Sequence, residues 1–228
     1  MRLEDLNWMD VEEYLKTDDR IILITGATEQ HAYLSLLTDI LIPSKIALVA
    51  AEREQILVAP PLNFGQSEQF TTFPGTISIS KQAFDNILTE IVQGLIVQGF
   101  NGFLILNGHG GNTIPSPIDD IRLDGLARIT WYDWWHSPAV RTFESENNLR
   151  LDHANWGENF PFNRVAESPS GEKPLVNLGY LDDGRSIRDL LGDGSYGGPY
   201  QVDDDLMAVL FNRVVDEVCS LVRALSKP

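Results

Sequence analysis

Residues 20–31, "RIILITGATEQH", decide how the chain is read. The run from Arg20 to Ala27 is β-branched and apolar, long enough for a strand buried on both faces. A polar element follows it, with Glu29 and His31 two positions apart. In extended backbone that spacing puts a carboxylate and an imidazole on one side. They are either a surface pair or half of a site for Zn, Mn or Fe. Asp39, further along, either caps the following helix or acts as a third ligand. A short carboxylate held there could bridge two ions.

Strands and helices alternate outward from this point. "SKIALVAAEREQ" (44–55) has helical spacing, with Pro43 placed for a first turn. "ILVAPPLNFG" (56–65) reads as a second strand ended by Pro60 and Pro61, and "TISIS" (76–80) as an edge strand. Phe84, Ile87, Leu88, Ile91 and Leu95 mark a helix over 81–100. "GFLILNGHGGN" (102–112) is strand and then glycine-rich turn, and "RLDGLARI" ends the helix after it. "ITWYDWW" (129–135) is a strand, and 204–225 a long amphipathic helix. Residues 155–202, rich in Gly, Pro, Asp and Ser, are expected to be loop-dominated. This order predicts an α/β fold with a mainly parallel central sheet, as one domain over 1–228. In such sheets sites form beyond the strand C-termini, where "TEQH", "NGHGGN" and "WWH" all fall.

Composition narrows the function. The formal charge of −16 argues against nucleic acid, whose phosphates need a Lys/Arg surface. A solvated acidic face explains most of it, and carboxylates around cations can explain part. The apolar stretches are broken well short of the ~20 residues that span a bilayer, and "MRLEDLNWMD" has no secretory pattern. The single Cys219 allows no intramolecular disulfide. A cytoplasmic protein is expected.

Three motifs can carry chemistry. In "NGHGGN" the glycines let the backbone turn tightly and present His109. The alternative, a phosphate-binding turn, lacks the Walker lysine and the dinucleotide spacing. "DHANWGEN" holds Asp152, His153 and Glu158, close in sequence to Trp131, Trp134 and Trp135, which form either core or an aromatic wall; His136 is read as structural. A serine hydrolase lacks its Gly-x-Ser-x-Gly elbow, and Cys219 sits in an apolar helix rather than a reactive loop. One cysteine also rules out thiolate-rich zinc sites. His and carboxylate ligands remain, a mixture suited to hydrolytic metals.

"GATEQHAYLSLLTD", "FPGTISIS", "NGHGGN", "DHANWGEN" and "GSYGGPY" stand in the order and approximate spacing of the creatininase (creatinine amidohydrolase) family. The chain resembles that family over roughly residues 5–215. The resemblance implies a three-layer α/β sandwich and two divalent metal ions per chain. It implies hydrolysis of a C–N bond in a small cyclic or linear amide through a metal-bridging hydroxide. It also implies a homo-oligomer, commonly a hexamer. Carried onto this sequence, the ligands are Glu29, His31, Asp39, His109 and Glu158, with Asp39 bridging. His153 matches the proton-transfer position, and Tyr33, Gly110 and Trp135 are assigned to the substrate side. The pocket departs from the family pattern. Tyr33 stands where a second His is common, Gln69-Phe70 replaces Glu-His, and Gly197-Gly198-Pro199 replaces Gly-Asp-Pro. An acidic residue after the motif histidine is also missing. The substrate is therefore expected to differ from creatinine. A formamide or peptide-bond hydrolase, or a non-catalytic metal- or ligand-binding member, are the alternatives.

Overall fold

The apolar run after Arg20 forms β1 (Arg20–Thr25), buried on both faces. β1 pairs in parallel with β2 (Leu57–Val58) on one side and β3 (Gly102–Asn107) on the other; β4 (Arg128–Asp133) pairs with β3. The sheet order is β2-β1-β3-β4. Residues 1–177 and 186–226 are described by this structure, a computed structural model.

Alternation along the strands sends side chains to two cores. Ile22, Ile24, Leu104 and Leu106 meet α2 (Thr38–Glu54), α5 (Pro138–Asn147) and α7 (Asp204–Ala224). Ile21, Leu23, Phe103 and Ile105 meet α1 (Trp8–Leu15), α3 (Lys81–Gln98) and α4 (Ser116–Leu123). Helices therefore cover both faces of an all-parallel sheet, as the alternating pattern predicts. Cys219 is buried within α7. Among the described residues no helix is long and apolar enough to cross a membrane.

Several boundaries differ from the sequence expectations. α2 begins at Thr38 rather than 44, so Pro43 lies inside it and not in its first turn. Proline cannot donate to the carbonyl four residues back, which is that of Asp39. This carbonyl instead abuts two glycines: a Cβ on Gly26 would lie 2.3 Å from it, and one on Gly108 1.9 Å. The helix start is thus seated directly on the C-terminal ends of β1 and β3. The second strand shrinks to two residues, because Pro60 and Pro61 have no N–H for a ladder. "TISIS" makes only isolated bridges, Ile77 with Thr28 and Ser78 with Gly65. After Asp133 the chain tightens into a 3-10 turn, Trp134–His136. The stretch 155–202 is mostly irregular, interrupted by Trp156–Glu158, β5 (Glu172–Lys173), α6 (Ile187–Leu191) and β6 (Gly198–Pro199). Its residues 178–185 lie outside the described ones.

Candidate metal centre

Thr25, Asn107 and Asp133 are level in the sheet register, so β1, β3 and β4 end together. The loops leaving those ends, and the first turn of α2, supply the polar cluster. Leu37 is the N-cap residue of α2, which frees Asp39 from a capping role. Its carboxylate is buried and turned toward two histidines. Asp39 Oδ1 lies 3.0 Å from His31 Nε2, and Asp39 Oδ2 2.8 Å from His109 Nδ1. Glu29 Oε1 is 3.4 Å from His109 Nδ1, and Glu158 Oε2 is 3.8 Å from His31 Nε2. Glu29, Asp39 and His109 form one compact ligand group and His31, Asp39 and Glu158 another, with Asp39 common to these two; Glu29, His31 and His153 form a third.

The ring nitrogens are assigned by what stands behind them. His109 Nε2–H donates to the Gln66 carbonyl at 2.9 Å, and His31 Nδ1–H to the Glu29 carbonyl at 3.2 Å. Each ring then presents its other nitrogen to the carboxylates, the usual support of a metal-ligating histidine. The motif loop is braced by its own asparagines. Asn107 Oδ1 accepts from the His109 amide, Asn107 Nδ2 donates to the His109 carbonyl, and Asn112 Nδ2 donates to the Gly26 carbonyl.

The electrostatics favour a cation. Burial pushes the His31 pKa down, but Asp39, Glu158 and Glu29 outweigh it and raise it to about 10. His109 is also burdened by burial and is held well above its ordinary value by Asp39 and Glu29. Burial opposes ionisation of Asp39, yet the two imidazoles hold it below the usual carboxylate range. Glu158 is raised to about 7, by burial first and then by Asp39 and Glu29. A cluster that draws protons onto two imidazoles offers the same negative field to a divalent ion. Two buried atoms, Glu29 Oε2 and His31 Nε2, have no hydrogen-bond partner of good geometry, which suits unfilled ligand atoms. The donor set therefore fits metal.

His153 lies at the edge of the cluster, its Nδ1 3.8 Å from Glu29 Oε1. Its ring stacks on Phe70 at 4.6 Å and 16°. Gln30 orients it. Gln30 Oε1 accepts from Ala32 N, and Nε2 donates to the Gly194 carbonyl and faces His153 Nε2 at 2.8 Å. His153 Nε2 also lies 3.1 Å from the Gln30 carbonyl, so the side chain and the backbone of Gln30 both hold the ring at this nitrogen. Burial, then the charge on His31, drive the His153 pKa well below its ordinary value, so the ring is neutral.

The cluster forms one wall of a cavity of about 330 Å³, with Phe70, Trp135 and Tyr196 among its other lining groups. That volume lies in the range of small-ligand sites. A larger groove, about 970 Å³, runs past Ser168 and Gly171 but contains none of the ligand groups. Gly110 and Trp135 line the cavity as well; Tyr33 does not, its ring meeting Tyr200 edge-on at 5.8 Å. Trp134 is buried against Phe160, and His136 lies on the rim. Gln30, Asn107 and Asn112 escaped the sequence reading. The only signal for them is position, next to His31 or flanking "GHGG".

Strain marks the same loops. Ala32 and Ala154, each following a site histidine, have φ of 51° and 54°. Ala32→Gly is expected to stabilise the protein by about 0.5–1 kcal/mol, since glycine meets no Cβ clash at positive φ. Urea unfolding checks this; a loss of stability would show that the Ala32 methyl contributes packing that outweighs the strain.

Known proteins bear on the site. The chain is 26% identical over 154 residues to the creatinine amidohydrolase of Pseudomonas putida, covering 60% of this chain and 59% of that one. It is 33% identical over 99 residues to the mycofactocin precursor peptide peptidase of Mycolicibacterium smegmatis, covering 40% of each. The chain thus spans less than two thirds of the length of these curated relatives. A solved structure of the creatinine amidohydrolase kind from Bacteroides fragilis superposes with a TM-score of 0.79 at 25% identity, covering 100% of this chain and 97% of that one. A family model, "Creatininase: Creatinine amidohydrolase", matches residues 4–222. Matched over nearly its whole length, the chain belongs to the creatininase family.

Proposed function

We propose that the protein is a metal-dependent amidohydrolase that cleaves a C–N bond in a small cyclic or linear amide. The observation that supports this most is Asp39, whose two oxygens face separate ligand groups at 3.0 and 2.8 Å. Glu29 and His109 would hold one ion with Asp39, and His31 and Glu158 the other. The His and carboxylate donors suit Zn, Mn or Fe. Two such ions, when bound, supply an acidified water and a Lewis acid for the amide carbonyl. Three carboxylates oppose their four positive charges, so the centre with one hydroxide is neutral.

The chain's own residues do the rest. Phe70 and Tyr196 confine the substrate beside His153 and limit access of bulk water. His153, neutral at rest, would take a proton from the attacking water at Nδ1, the atom nearest Glu29, and pass it to the departing nitrogen. Its low basicity suits it to give that proton up. Gln30 holds the ring in place through its side-chain and backbone contacts with Nε2. The reading includes a homo-oligomer, for which exposed Trp8, Met9, Val97 and Leu126 offer apolar surface.

His153→Gln tests the assignment. The variant is expected to retain the metal content of the wild type, measured by elemental analysis, while kcat on small amides and lactams falls about 10²–10⁴-fold. Metal-replete wild-type protein that cleaves no member of such a panel would refute the amidohydrolase reading and leave a metal-binding role.

A further inference from the structure

Two arginines stand on the wall of a cavity also lined by carboxylates. Arg141, on α5, and Arg150, on the loop that leads into His153, both line the cavity that contains Glu29, Asp39 and Glu158. The protein as a whole has a formal charge of −16, so two guanidiniums beside the ligand groups call for a reason.

A single buried carboxylate holds both in place. Glu144 Oε2 accepts from Arg141 Nη1 at 3.0 Å, and Glu144 Oε1 accepts from the Leu151 amide at 2.6 Å. Glu144 thereby fastens α5 to the loop beside Arg150. The Arg150 backbone is fixed further, because its carbonyl accepts from both Asn155 Nδ2 and Trp156 Nε1. The side chains stay available. Arg150 is 71% exposed and, among the described residues, is tied through Nη2 to Asp152 at 3.0 Å. Arg141 is 55% exposed, with Nη2 directed at His136 Nδ1. The backbones are held while each guanidinium, with five N–H groups, keeps donors beyond these contacts. Such forks suit a planar carboxylate, which pairs with two N–H groups at once.

We infer that the substrate is a small amide bearing a carboxylate, with the amide at the metal centre and the carboxylate at Arg141 and Arg150. Resting on the amidohydrolase reading, this narrows it to one substrate class.

The test uses the zinc-loaded protein and a matched pair of probes, N-acetyl-β-alanine and the neutral N-(3-hydroxypropyl)acetamide. Both kcat/KM and, by calorimetry, Kd are measured for wild type, R141Q, R150Q and the double variant. The acid is expected to be preferred, with the preference falling about tenfold in each single variant and further in the double. Added salt should weaken it in the wild type. Equal treatment of the two probes, or a preference that survives the double substitution, overturns the inference. Arginine-dependent binding of the acid without hydrolysis of either probe supports the recognition site while counting against the amidohydrolase reading.

Discussion

Asp39→Asn is expected to empty the centre of both ions and to lower amide hydrolysis by on the order of 10³-fold or more. The substitution barely changes shape, so the effect is electronic. The amide nitrogen cannot ligate a cation, and the side chain no longer carries the charge that both groups share. Losing a Lewis acid worth several kcal/mol at the transition state corresponds to a factor of this size. The fold should survive, because α2 is anchored by Ile42, Ile46 and Ala50 in the core. Elemental analysis with kcat/KM on the same preparation decides the matter. Two ions retained in the variant would remove the bridging role.

Gly108→Ala should be nearly as damaging by a different route. The new methyl would lie 1.9 Å from the Asp39 carbonyl oxygen and 2.8 Å from Pro43 Cγ. A backbone carbonyl and a proline ring cannot rotate aside, so α2 must lift from the sheet. Overpacking of this kind costs about 1–3 kcal/mol. Because the lifted turn contains Asp39, metal affinity should fall as well, by about 10²-fold for a displacement near 1 Å. Gly110→Ala is the control from the same loop: nothing lies within 4 Å of its added Cβ. Urea unfolding and metal titration of the two variants should separate cleanly. Similar behaviour in both would mean that the Gly108 contact relaxes easily.

What could be read without coordinates was the part written in local pattern. The doubly buried strands at Arg20–Thr25 and Gly102–Asn107, and the helices after Ser80 and Asp203, follow from apolar runs and apolar period. Glu29, His31, Asp39, His109 and Glu158 stood out because short motifs and a family resemblance mark them. The start of α2 was hidden, since a proline six residues into a helix is acceptable only where two distant glycines receive the carbonyl it cannot bond. Gln30 was invisible for a similar reason. Its role depends on Gly194, far along the chain, whose φ of 103° gives the carbonyl it donates to. Tyr33 was placed by alignment to a shortened loop, and its ring is held instead against Tyr200. Arg150 reads as an ordinary surface residue until Glu144 is seen to tether its loop.

The ligands of the centre extend from Glu29 to Glu158, across most of the chain's order of synthesis. No short segment emerging from a ribosome contains a complete ligand group: the one with His109 needs β1 and β3 to pair, and the one with Glu158 waits for a later loop. Any metal would therefore load late, after the long-range contacts that set the pace of folding. The choice among competing ions then falls to a finished cage with fixed spacing rather than to a floppy chelating peptide. Which metal occupies the centre in a cell should depend on the ions present at that moment as much as on intrinsic affinity.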